Sequence, residues 1–108
     1  MNVYHVSYDV SEDDNEKVLV SLVRTLRKTL LATNIIRPVR STLRFSTEKD
    51  YASVYAAITK WAGEESVYYF FSQIEPSVND GKFYYWMLQN PELKAGIDEK
   101  IKAVDAEK

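Results

Sequence analysis

The chain has 108 residues, a length that suits one domain. Hydrophobic residues make up 45% of it and aromatics 13%, enough for a packed core, and the absence of cysteine excludes disulfides, a thiolate nucleophile and cysteine-ligated metal sites. The net charge of −2 lacks the basic balance of typical nucleic-acid binders, yet it is unevenly spread: residues 17–47 hold seven bases and no acid, the rest seven bases and sixteen acids.

Residues 2–10 (NVYHVSYDV) are β-branched and aromatic and read as a strand. Tyr4, Val6, Tyr8 and Val10 fall on one face, and Val3, His5, Ser7 and Asp9 on the other. The N-terminus has no basic lead and no long apolar run, so neither a signal peptide nor a membrane span is expected, and a cytoplasmic location is. Ser11 to Glu16 is a polar loop entering a helix, with Ser11 and Asp14 spaced as in a capping box. The helix is predicted from about Asp13 to Ala32. Leu19, Leu22, Val23, Leu26 and Leu30 form its core stripe, with Lys17, Ser21, Arg24 and Lys28 on the wet side.

Ile35 and Ile36 suggest a short strand interrupted by Pro38. Residues 39–47 alternate cleanly, with Val39, Ser41, Leu43 and Phe45 opposed to Arg40, Thr42, Arg44 and Ser46. A second helix follows, capped by Ser46 or Thr47, with Tyr51, Val54, Tyr55, Ile58 and Trp61 or Ala62 as its stripe and Gly63 as its stop. Residues 66–74 (SVYYFFSQI) are apolar on both faces, so both are expected to be covered. Pro76 closes that strand, Asn79-Asp80-Gly81 signals a turn, and residues 82–88 (KFYYWML) read as a returning strand or an aromatic segment laid on a neighbouring chain. A last helix runs from Glu92 to about Val104, with Leu93, Ile97, Ile101 and Val104 on its apolar edge; residues 105–108 form a frayed tail.

This order predicts one α+β domain over residues 1–104, a ferredoxin-like sandwich with a C-terminal aromatic segment and helix. The sheet face away from the helices needs a cover. A homodimer joining two such faces would supply one; the C-terminal helix folding back is the alternative.

Chemistry is sparsely marked. Asp9, followed by Glu12, Asp13 and Asp14, could hold a hard divalent cation such as Mg²⁺, or bond loop amides while its neighbours cap the helix. His5 is the only histidine and reads as a packed strand residue. Arg24, Lys28, Arg37, Arg40 and Arg44 offer phosphate contacts, with pairing to acidic residues as the competing reading. Three glycines make no phosphate loop, so nucleotide chemistry through such a motif is not expected.

The opening Met1-Asn2-Val3-Tyr4-His5-Val6-Ser7-Tyr8-Asp9-Val10 resembles the second CRISPR-associated (Cas) protein family, in which a first strand ends in Tyr-Asp before a long helix. It is similar also to small bacterial and phage relatives called SinR-like or VapD-like. Val39-Arg40-Ser41-Thr42-Leu43-Arg44-Phe45 looks like their second strand and residues 66–74 like their last core strand, so the pattern covers residues 1–74. The glycine common after the first helix is missing, and residues 76–108 have no counterpart. The resemblance implies a ferredoxin-like homodimer from a bacterial or phage system, either a metal-dependent endonuclease or a non-catalytic nucleic-acid-binding subunit. Asp9 would then be the catalytic and metal-binding acid, taking Mg²⁺ or Mn²⁺, and Arg40 and Arg44 phosphate contacts. A protein-interaction module of a defence or counter-defence system, using the acidic surface or the aromatic extension, is the other function expected.

Overall fold

A computed structural model describes residues 1–74 and 91–107. Strand β1 (Asn2–Asp9) leads to helix α1 (Asn15–Arg24), which continues as a π-helical segment (Thr25–Thr29). Strands β2 (Thr33–Val39) and β3 (Thr42–Thr47) follow, then α2 (Tyr51–Glu65), β4 (Tyr68–Ile74) and α3 (Pro91–Asp105). The strands form one antiparallel sheet in the order β2-β3-β1-β4. This is a ferredoxin-like α+β sandwich with an added C-terminal helix. The expected turn at Asn79-Asp80-Gly81 and the aromatic residues 82–88 lie outside the described residues.

Alternation decides which sheet face is dry. Tyr4, Val6 and Tyr8 of β1 and Leu43 and Phe45 of β3 point at the helices and are buried. They meet Leu19, Leu22 and Val23 from α1, Leu26 from the π segment, and Val54, Ile58, Trp61 and Ala62 from α2. The Tyr4 ring stacks between Phe45 and Phe71, and Tyr8 meets Trp61 edge to face. α3 packs against α1 and β2 and adds Ile97 and Val104 to this same core. It therefore does not cover the opposite sheet face.

Several boundaries differ from those read in the sequence. The residues 39–47 are not one strand. Val39 pairs with Thr42 across a two-residue turn at Arg40-Ser41, so the alternation spans a hairpin. Pro38 lies within β2, which is tolerable because β2 is an edge strand with two register shifts. Asn34, with φ of 52°, sits in the first irregular stretch. Helix α1 gives way to the π segment earlier than expected, and Leu31 (φ 52°) reverses the chain. The Ala32 amide then reaches the Leu26 carbonyl at 2.9 Å.

Asp50, rather than Ser46 or Thr47, caps α2, its carboxylate accepting the Ser53 amide at 2.9 Å. Thr47 instead donates its hydroxyl to the Leu30 carbonyl at 2.6 Å, tying β3 to the end of the first helix. Gly63 does not stop α2. Ser66 does, in left-handed geometry, with the Val67 amide on the Ala62 carbonyl as in a Schellman turn. Ser11 and Asp14 bond through their side chains at 3.0 Å, and Asp14 makes no side-chain cap.

Candidate functional site

The sheet face away from the helices carries Val3, His5, Ser7 and Asp9 from β1, Thr42, Arg44 and Ser46 from β3, and Tyr68, Phe70, Ser72 and Ile74 from β4. Register places Tyr68 beside Asp9, Phe70 beside Ser7 and Ser72 beside His5. Tyr68 is 85% exposed and Phe70 67%. Apolar residues at every second position of β4 had suggested a covered strand, but in the described residues of one chain this side of it is open.

Beside these aromatics runs a polar chain whose direction is fixed from Arg44 through His5 to Ser7. Arg44 donates Nε–H to His5 Nδ1 at 3.2 Å. His5 Nε2 lies 2.8 Å from Ser7 Oγ, which lies 2.9 Å from Thr42 Oγ1. Guanidinium can only donate, so a neutral His5 carries its proton on Nε2 and donates it to Ser7. Ser7 and Thr42 then share a hydroxyl–hydroxyl bond that either can donate. In this arrangement His5 cannot take the Ser7 proton, so the pair is not an activated serine nucleophile of the Ser-His kind. Burial and the neighbouring Arg44 charge both push the His5 pKa below the ordinary imidazole value. The sequence had marked His5 as packed. Its Arg44 partner depends on cross-strand register and could not be read from spacing, whereas Ser7 lies two positions along the same strand face.

Asp9 stands at the open end of β1 and is exposed. It lines a groove of about 520 Å³ with Asp14, Lys17, Glu65 and Tyr68 among others. Its carboxylate has no hydrogen-bond or ion-pair partner among the described residues. The following acids do not converge on it: Asp14 is held by Ser11, and Glu12 pairs with Arg40 at 3.0 Å. No cluster of three metal-ligating side chains occurs among the described residues.

The basic residues do not share one surface. Arg24 and Lys28 lie at the end of α1, Arg37 and Arg40 by the β2–β3 hairpin, and Arg44 on the open sheet face. Arg37 is 7% exposed and turned inward, donating to the Arg40 carbonyl and lying 3.6 Å from Glu16. Arg24 holds Glu107 with two hydrogen bonds, and Arg27 holds Asp105 in the same way. Lys28 donates to the Glu107 carbonyl. These contacts join residues about eighty positions apart, which no local pattern reveals. They raise the pKa values of Arg24 and Arg27 and lower those of Glu107 and Asp105, chiefly through the hydrogen bonds.

The Trp61 Nε1–H is buried without a partner among the described residues. Burial pushes the Tyr8 hydroxyl up to about 12, so it stays protonated and donates to Asn15 at 3.5 Å. Comparison with family models, with curated proteins and with solved structures returned no match.

Proposed function

We propose that the chain works as a homodimer joined through its open sheet face, and that the dimer is a nucleic-acid-associated subunit of the Cas-like kind. The observation that carries the reading is the adjacent exposure of Tyr68 and Phe70 on one strand face. An aromatic side chain buries roughly 150–250 Å² when covered, and leaving two side by side in water forgoes that gain. A second copy supplies a face of the same shape with matching polar and aromatic stripes. The nucleic-acid part rests on the bases at the end of the first helix, across the sheet from the joined faces, and on the exposed Arg40 of the β2–β3 hairpin.

Asp9 favours a second reading, that of a metal-dependent endonuclease using Mg²⁺ or Mn²⁺. It lies on the same open face, exposed and unpaired among the described residues. Among the described residues, one chain brings too few oxygen ligands together for a metal centre. This reading therefore requires the dimer, in which two Asp9 carboxylates would approach across the axis.

Light scattering on the size-fractionated protein tests the assembly: a dimer is expected at micromolar concentration, and a monomer would overturn it. Binding to an oligonucleotide should weaken as salt rises, because it depends on neutralised phosphates. Cleavage that needs Mg²⁺ or Mn²⁺ and disappears in Asp9→Asn supports the nuclease reading; cleavage unchanged in that variant excludes Asp9. A dimer that binds no nucleic acid at any salt concentration points to a protein-interaction module instead.

A further inference from the structure

We propose that the acidic end of α3 is a latch on an anion-binding face of α1, and that displacing it frees Arg24, Arg27 and Lys28 for the phosphates of a nucleic-acid strand. The ligand class rests on the nucleic-acid reading above; the latch rests on geometry. Arg24 Nε and Nη2 reach both Glu107 carboxylate oxygens at 2.8 and 2.7 Å. Arg27 grips Asp105 through the same two atoms at 2.8 and 2.7 Å. Lys28 meets the Glu107 carbonyl at 3.0 Å. A guanidinium fork that fits two carboxylate oxygens also fits two phosphate oxygens. Arg24 closes α1, Arg27 and Lys28 follow in the π segment, and all three reach the same end of α3.

Two features mark the acids as a latch rather than as part of the core. Val104 is the last buried side chain of α3, and beyond it the turn is held by polar contacts at the surface. These pairs are partly exposed and therefore screened by salt, so a polyanion presenting several charges can compete for the same donors. The acids also stand at the wrong end of their own helix, because a C-terminus favours bases. Their placement costs α3 locally and is explained by what they meet on α1.

The face continues across a groove of about 330 Å³ where Lys60 of α2 joins Arg24 and Lys28. Glu64 lines the same groove, 3.9 Å from Lys60, and Glu65 acts on Arg24 from nearby. With the latch in place, Asp105 and Glu107 offset two of the four cations. With it displaced, the bases outnumber the two remaining acids.

The test is fluorescence anisotropy of a labelled single-stranded oligonucleotide at low salt, on the full chain and on Asp105→Asn/Glu107→Gln. The double variant should bind at least tenfold more tightly. Three further phosphate contacts should also steepen the logarithmic salt slope by about 2. Glu92→Gln/Glu99→Gln changes net charge equally on the same helix and should gain less than threefold. Adding Arg24→Gln/Lys28→Gln to the latch variant should remove the gain. Glu107→Gln alone leaves the α3 helix intact and should show part of it. Equal affinity of the full chain and the latch variant overturns the latch while leaving nucleic-acid binding standing. An equal gain in the Glu92/Glu99 variant likewise overturns it. No binding by any form removes the nucleic-acid reading itself. Preference for anionic phospholipid vesicles over the oligonucleotide overturns the ligand assignment.

Discussion

Truncating Phe70 tests the proposed assembly most directly. The ring is 67% exposed in one chain. A covered aromatic buries roughly 150–250 Å², so joining two faces would hide about 130 Å² of each Phe70. Both copies together contribute on the order of 6 kcal/mol at ~25 cal/mol per Å². That is an upper bound, since neighbours relax into the space and alanine keeps part of the area. Half of it, about 3 kcal/mol, still weakens dimerisation by about two decades at 1.4 kcal/mol per tenfold. The monomer should lose little, because two-thirds of the residue faces water and its ring partner among the described residues is His5, edge to face at 6.5 Å. Sedimentation equilibrium or scattering across a dilution series reads the dissociation constant, and circular dichroism checks the fold. A dissociation constant within threefold of the unsubstituted chain would refute the interface, whatever the oligomeric state.

Gly63→Ala should stabilise the protein by about 0.5–1 kcal/mol, read as a higher urea midpoint, because the residue lies within α2 and an added methyl meets nothing within 4 Å. A lower midpoint would contradict its helical placement. Ser66→Gly should also stabilise, by up to about 1 kcal/mol, since Ser66 holds φ at 56° where glycine has no side-chain clash; a loss would mean that the hydroxyl contributes more than the strain costs. His5 predicts a pH dependence. Its folded pKa lies below the unfolded value, so as pH falls the unfolded chain binds the proton first. The linked stability is complete above about 6.5 and is lost as pH drops from there through the lower folded pKa. Protonation also sets a second N–H against the Arg44 donor. Urea midpoints at pH 7.5 and 5.5 should converge in His5→Gln, and an unchanged difference would show that another group governs that window.

The half of the fold that alternation controls was legible. Tyr4, Val6, Tyr8, Leu43 and Phe45 sort to the core by period alone. The boundaries were less legible because two reversals avoid the residues that usually mark them. Leu31 and Ser66 hold positive φ without glycine or asparagine, while Gly63, the residue that looks like a stop, lies inside a helix. Arg40-Ser41 turns the chain without an Asn-Gly or Asp-Gly pair, so the hairpin read as one strand. At the end of the first helix side-chain contacts replace the missing signal: Thr47 of β3 holds the Leu30 carbonyl and Arg27 holds the Ala32 carbonyl.

The candidate surfaces follow the same logic. An acid-free run of thirty-one residues suggested a single basic patch, since in chain order nothing separates Lys17 from Arg44. In space the run is divided by the fold. Arg37 turns inward, Arg44 joins His5 on the open sheet, and Arg24, Arg27 and Lys28 meet the acids at the end of α3. The charge asymmetry is thus largely complementarity between two parts of one chain, which explains how a protein with net charge −2 can keep such a run. Complementarity made of exposed pairs is also reversible. The same cations can therefore fasten the last helix at low competing charge and meet another anion when one is present.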